Sequence, residues 1–432
     1  MLNCKTAFIA LQVAQGLGPE ARPEAAGYID DPTTGVRCHY QTEQNADMCD
    51  AVFVAFAEAR EAQHALGWPE PPDDVQAGGS SAPDVYLHRD AEWGAYVTSS
   101  YIDADPDDGR SGSASYMVLD PRITEDELGA YVAHEYNHML QFGMDYNEPS
   151  LPPWEGAATR AEELTYPGYG SGPTVVPDYQ ATPWVGALSD GYFLYDLSTE
   201  FWSWYEYGSV LWFDDLREEH GVNALDFWWA MVQDKDVNEP DVLDAYHEVT
   251  GDGRQAFIDF GVRRAHFGTP QEPDWAATYA NSAPLAIEGE LPMDGSLSAE
   301  WGVYEWGFIA VDVLDDGLLE LTADESLDWA VVSATTGEEI GFPAPVAAGE
   351  RILVFNFGGP DFDGDDRETP AELTLALAEL PADSGLDSDP GPVDTGEEPG
   401  PKGCGCASST APSGMALVLA GLALLGWSRR RG

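Results

Sequence analysis

Lysine is nearly absent. Only Lys5, Lys235 and Lys402 occur in 432 residues, and with the arginines they make 19 basic residues against 77 acidic ones, a formal net charge of -58. A field of that sign repels nucleic-acid phosphates and anionic lipid, which excludes nucleic acid as a partner and points to a surface suited to salty or divalent-rich surroundings. Cysteine is scarce as well. The five residues Cys4, Cys38, Cys49, Cys404 and Cys406 contain no CxxC pair, so a structural zinc site built on paired thiolates is excluded. In an exported chain, Cys38 and Cys49 are the natural disulfide. Internal repeats are missing too. What is present, 44% hydrophobic and 11% aromatic residues with 14 tryptophans, is the composition of a chain that folds, and its length suits two or three domains.

Both ends read as export signals. Residues 1–27 form a weak signal peptide or leader, with one lysine, a modest apolar run and small residues at Ala14 and Gly16. Residues 383–403 are an acidic linker rich in proline and glycine, with no aromatic residue to bury. Residues 404–432 then run through Cys404, Cys406 and an apolar stretch at about 411–427 to Arg429, Arg430 and Arg431. Such a stretch is just long enough to cross a bilayer, and the arginines after it keep the C-terminus cytoplasmic. This order of features resembles the MYXO-CTERM type of bacterial surface-sorting tail. The resemblance implies recognition near Cys404 and Cys406, followed by display on the cell surface or release from it.

Between the ends the texture changes once. Residues 28–270 mix short strands, at "GVRCHYQTE", "PDVYLH", "GAYVTSSYI" and "ASYMVLD", with helices over 46–66, after Thr124, after Pro153, and over 198–219, 224–233, 240–249 and 254–266. Residues 271–382 are short apolar runs separated by Gly, Asp and Pro, which predicts an antiparallel β-sandwich.

The segment that carries chemistry is "AYVAHEYNHMLQFG". Thr124 and Glu127 form a capping-box pattern ahead of it, Asp126 suits the positive end of the helix dipole, and Gly143 supplies a stop. In a helix, His134 and His138 lie one above the other, so both imidazoles can reach one metal ion, with Glu135 one position round. With 8 histidines and 77 acidic residues in 432 positions, chance supplies roughly 0.03 such patterns. A third ligand follows in "PPWEGAATRAEEL", where Pro152 and Pro153 open a second helix with Glu155, Thr159 and Glu162 on one face. Glu155 completes a His, His, Glu set with an open fourth position, the coordination of a catalytic Zn2+ and not of a closed structural site. No histidine lies between His138 and His220, which excludes a third histidine shortly downstream.

The run His134-Glu135-Tyr136-Asn137-His138 followed by Trp154-Glu155-Gly156 resembles the gluzincin branch of zinc metallopeptidases. The order "CHYQT", helix, "LGWPEPPDD", "YMVLD", "AHEYNHMLQFGMD", "WEGAATRAEE" and "YGSVLWFDDLREEHG" resembles, over about residues 37–268, a myxobacterial family of zinc metalloproteases defined mostly by sequence. These resemblances imply an α+β zincin-like metallopeptidase domain followed by the all-β domain. They also imply zinc at His134, His138 and Glu155, with Glu135 as catalytic base and a peptide or protein as substrate. In gluzincin aminopeptidases a Tyr-x-x-Gly tyrosine stabilises the oxyanion; in "YEYG" Tyr205 matches that spacing and Tyr207 is the alternative, unless both are core. The strand 115–120 is the candidate edge for pairing with an extended peptide. Asn137 and Gln141 carry no evident role.

Other readings stand beside these. The two histidines fit an ordinary helix face, and a zincin fold without turnover fits a surface binding or adhesion protein. The acidic clusters "DADPDDGR" and "DFDGDDRE" suggest Ca2+ loops, but neither has the full loop pattern and solvated turns are the default. His39, His64, His88, His220, His247 and His266 each stand alone in their segments.

Overall fold

The computed structural model describes residues 21–380, apart from 92–93, 103–109, 111, 147, 149, 187, 189–203, 233–239, 270–271, 273–274, 276–277, 280–283 and 360–369. Most of the leader, the linker, Cys404, Cys406, the apolar tail and nearly all of both acidic clusters therefore lie outside the described residues. Among the described residues no helix is long and apolar enough to cross a membrane.

The first layer is a five-stranded sheet in the order β1-β2-β3-β5-β4, with β1 (Gly27–Asp30), β2 (Arg37–Tyr40), β3 (Asp84–Leu87), β4 (Ala95–Ile102) and β5 (Ser113–Leu119). β2, β3 and β5 run parallel, while β1 and β4 pair antiparallel at the two edges. β5 is thus an inner strand, buried on both faces, and the edge expected at 115–120 belongs to β4. Helix α1 (Met48–His64) bridges β2 to β3, and the disulfide Cys38–Cys49 ties it to β2 with Cα atoms 5.8 Å apart. Helices α2 (Glu125–Met144) and α3 (Leu151–Thr165) follow β5, with α2 packed against α1, α3, β4 and β5. On one face of the sheet Val85, Val97, Met117 and Leu119 join the main core; on the other Tyr86, Tyr96, Tyr116 and Val118 make a smaller cluster.

That second face holds an unexpected residue. Arg22, inside the stretch read as leader, pairs with the buried carboxylates of Asp74 and Asp84 and lies 4.6 Å from the centre of the Tyr116 ring. The folded domain therefore includes residues ahead of the boundary at 28.

Beyond α3 come α4 (Gly172–Ala181), the single turn α5 (Tyr205–Gly208), α6 (Val210–Glu219), α7 (Ala224–Ala230), α8 (Val242–Thr250) and α9 (Gly253–Ala265). α4 was not expected: Pro173 and Pro177 mask its period, and only Pro173 sits in the first turn where proline is tolerated, while Pro177 lies inside the helix. Residues 284–380 form two facing sheets. One has the order β11-β10-β13-β8-β6, with β11 (Glu339–Ile340), β10 (Trp329–Ser333), β13 (Arg351–Asn356), β8 (Gly307–Val313) and β6 (Gly289–Leu291). The other has the order β12-β9-β14-β7, with β12 (Ala344–Val346), β9 (Gly317–Ala323), β14 (Leu373–Ala378) and β7 (Ser296–Ser298). All pairs are antiparallel except β6 with β8.

The change of texture near residue 270 is not a break in packing, because the described residues on either side of it belong to one compact unit. Phe257 of α9 meets Phe308 and Phe355 edge-on, and a Cβ on Gly261 would sit 2.6 Å from Phe355 Cζ. Main-chain bonds from Phe308 to Pro183 (2.9 Å) and from Tyr304 to Trp184 (3.0 Å) stitch the sandwich to the segment after α4.

Candidate metal centre

α2 starts as its sequence dictates: Glu127 Oε2 accepts from the Thr124 hydroxyl at 2.7 Å and from its amide at 3.4 Å. It does not stop at Gly143 but runs to Met144, and Gly143 serves instead as a close-packing position, where a Cβ would sit 2.8 Å from Pro72 Cδ. α3 starts at Leu151 with Pro152 and Pro153 in its first turn. Its entry is anchored by Trp154, fully buried, whose indole donates to the Glu148 carbonyl at 3.0 Å and packs 4.9 Å from both Phe142 and Trp228. Gly156 lets the segment carrying α5 and α6 approach, since a Cβ there would lie 2.2 Å from Ser209 Oγ.

These two helices bring three ligand atoms together. His134 Nε2 lies 3.0 Å from His138 Nε2 and 3.0 Å from Glu155 Oε2, and His138 Nε2 lies 3.5 Å from the same oxygen. Among the described residues this is the group of three whose candidate ligand atoms all fall within 4.8 Å of one another. Zinc bonds of about 2.0–2.2 Å set neighbouring tetrahedral ligands roughly 3.3 Å apart, so the spacing fits one ion.

Protonation sharpens the fit. His134 Nδ1 is 2.6 Å from Glu162 Oε1, and a carboxylate accepts, so Nδ1 carries a proton and Nε2 is the nitrogen left to face an ion or a second proton. His138 Nδ1 is 2.7 Å from Gln141 Oε1. The Gln141 amide cannot turn round without loss, because its Nε2 donates to the carbonyls of Trp154 (3.1 Å) and Pro153 (3.3 Å). His138 Nε2 is therefore the nitrogen that faces the centre. Three acceptors converge in a site where none of their residues is more than 1% exposed, and positive charge must sit among them, as a proton or as a metal ion. Burial pushes the Glu155 carboxyl up, but the imidazoles of His138 and His134 outweigh it and hold the group at about 2.

The partners of the histidines explain residues that the sequence left idle or only placed on a face. Glu162 orients His134 and also accepts from Ser171, at 2.6 Å from its amide and 3.1 Å from its hydroxyl. Gln141 orients His138 and grips the start of α3. Asn137 donates to Gln63 Oε1 at 2.9 Å, and Gln63 donates to the Ala133 carbonyl at 2.8 Å, which fastens α2 to α1. Glu135 is fully buried one step round from His134.

The two tyrosines separate. Tyr205, the one with the Tyr-x-x-Gly spacing, donates to the Val185 carbonyl at 2.9 Å and packs on Tyr179, so it belongs to the core. Tyr207 stacks on His134 with ring centres 5.8 Å apart. Between them, Glu206 is pushed up to about 8, by desolvation first and then by the charges of Glu155 and Asp178. Of the other histidines, His39 bonds Asp84 at 2.8 Å and His64 bonds the Tyr136 hydroxyl at 2.7 Å.

No family model, no curated protein and no solved structure matches this chain.

Proposed function

We propose that the chain is an exported zinc metallopeptidase, displayed at or released from the cell surface, with Zn2+ held by His134, His138 and Glu155. The observation that carries the reading is the convergence of the Nε2 atoms of two histidines and one carboxylate oxygen within 3.5 Å of one another, with Glu135 next to His134 on the same helix. A zinc ion there supplies Lewis acidity, polarising a water and the scissile carbonyl.

The rest of the chemistry belongs to side chains. Glu135 takes one proton from the attacking water as the C–O bond forms and the carbonyl electron pair moves to oxygen, then delivers that proton to the amine nitrogen as the oxyanion collapses and the C–N bond breaks. Tyr207, beside His134, is the donor to the developing oxyanion. Glu162 and Gln141 act as positioning residues by fixing both imidazole tautomers. β4 is the sheet edge suited to an extended peptide. The disulfide Cys38–Cys49 accords with an oxidising compartment.

One observation favours a second reading, a metal-stabilised surface binding or adhesion protein: His134, Glu135 and His138 have no exposed surface and Glu155 has 1%. Casein or peptide-library hydrolysis by zinc-loaded protein, lost in Glu135→Gln while zinc is retained, supports the peptidase. Stoichiometric zinc with no hydrolysis supports the binding protein. If no zinc is retained and Glu155→Ala changes nothing, both fail.

A further inference from the structure

A cavity of about 220 Å³ opens beside the metal triad. It is joined to the triad twice. Tyr207 forms one of its walls and stacks on His134; Ser171 forms part of another and is bonded to Glu162, which holds the same histidine. Ala130 and Tyr131, one helical turn before His134, also line it, so whatever fills the cavity lies about one turn of α2 from the first ligand. The volume is below the roughly 300–1,000 Å³ of sites for drug-sized ligands, so it suits one large side chain.

The lining defines which side chain. Tyr131, Tyr169, Trp204 and Tyr207 supply ring surface, and Asp126 and Glu127 stand exposed at the lip, with no lysine or arginine among the lining residues. A shallower hollow of about 330 Å³ shares Asp126 and Tyr169 and adds Glu58 and Glu125, again with no basic lining residue. The positive end of α2 offsets about half a charge, which leaves the lip anionic. An acidic side chain is repelled there, and a purely apolar one gains nothing from the two carboxylates. A lysine or arginine lays its alkyl stem on the rings and brings its cation to the carboxylates, with ring faces adding attraction. The net charge of -58 concentrates basic peptides before they dock.

We propose that this cavity receives a lysine or arginine side chain of the peptide next to the bond that is cut, with Asp126 and Glu127 as the specificity-determining residues. The assignment rests on the peptidase reading for its place in the reaction, but it is also a statement about binding.

The test uses one fluorescent peptide series with Arg, Lys, norleucine or Glu scanned across the central positions. kcat/KM is measured on zinc-loaded protein and Kd on zinc-loaded Glu135→Gln, each with and without the pair Asp126→Asn and Glu127→Gln; glutamine preserves the capping box. Arg and Lys are expected to exceed norleucine by about tenfold in both readouts. The pair of substitutions removes that margin, and norleucine peptides remain unaffected, which shows that the variant is folded. Asp126→Asn alone gives an intermediate loss. Norleucine equal to arginine, or a basic preference that survives both substitutions, overturns the assignment. Hydrolysis without basic preference refutes the cavity's role and leaves the peptidase standing; basic-selective binding without hydrolysis does the reverse.

Discussion

Glu162→Gln is the substitution that most directly tests the tautomer argument. Glu162 and His134 are both fully buried, and the bond between Oε1 and Nδ1 is 2.6 Å long. The glutamate also accepts from the Ser171 amide at 2.6 Å. A glutamine cannot serve both partners. With its oxygen toward His134, its NH2 group opposes the Ser171 N–H; turned round, its NH2 group faces Nδ1, which must then accept, and the proton moves to Nε2 where the ligand lone pair is needed. In the better of the two orientations a charge-assisted bond worth about 1.5–3 kcal/mol becomes a neutral one worth about 0.5–1.5, and a buried donor loses its partner. The expected result is a zinc dissociation constant weaker by about 10- to 100-fold, or about 1.4–2.7 kcal/mol. Chelator competition at fixed pH measures it, with Glu163→Gln, whose carboxylate accepts from Gly168 instead, as the control. Activity should return at saturating zinc. An affinity within twofold of the parent refutes the assigned tautomer, and lost activity at unchanged affinity refutes the positioning role.

Three further outcomes follow from the same geometry. Tyr207→Phe should lower kcat by about 100-fold or more with little change in melting temperature, whereas Tyr205→Phe, which loses its bond to Val185, should cost about 1 kcal/mol of stability and leave kcat intact; the reverse pattern restores the spacing-based assignment. Gly156→Ala forces a Cβ to within 2.2 Å of Ser209 Oγ and should destabilise by about 1–3 kcal/mol in urea unfolding, and a neutral effect contradicts the close approach. Glu148 is pushed up to about 8, by burial first and then by Asp145 and Asp241, so its stabilising contribution is complete below its unfolded value near 4.5 and is lost as pH rises through about 8. Glu148→Gln should therefore flatten the fall in unfolding free energy between pH 5 and 8, and an unchanged slope places the pH dependence elsewhere.

What could be read from the sequence divides along the range of the interactions involved. α1, α2, α3, α8 and α9 were legible because period, caps and first-turn prolines act within one or two turns. The ligand set was legible for the same reason: His134 and His138 share a turn, and Glu155 sits at the start of the next helix. The choice between Tyr205 and Tyr207 was not, because residues two apart on a helical turn point to nearly opposite sides, and only the placement of Val185 and His134 says which side matters. Gln141 does carry a local signal, since it sits three residues after His138 on the same helix face; Asn137 carries none, because its partner is Gln63, 74 positions away. Strand order is likewise long-range. The run 113–119 looks the same whether inner or edge, and its place between β3 and β4 is set by its parallel pairing with β3 and its antiparallel pairing with β4.

The same distinction explains why the candidate centre is polar at the heart of an apolar interface. α2 and α3 bury Glu135, Glu155 and Glu162 within one contact. Among the described residues, Glu155 and Glu162 are partnered by His134, His138 and Ser171, none of them a lysine or arginine. Replacing such groups by leucine gives a more stable helix pair on general grounds, since a buried ionic cluster rarely outperforms a packed apolar one. A divalent ion changes that comparison, because it neutralises two of the charges and converts lone-pair repulsion into coordination. Without an ion, the three atoms that Glu162 and Gln141 turn toward one another need a proton between them; with one, both Nε2 atoms and the carboxylate oxygen can act as ligands. The arrangement is therefore costly as a structural contact and suited to a bound cation, and the chemistry is specified by the two groups behind the histidines as much as by the histidines themselves.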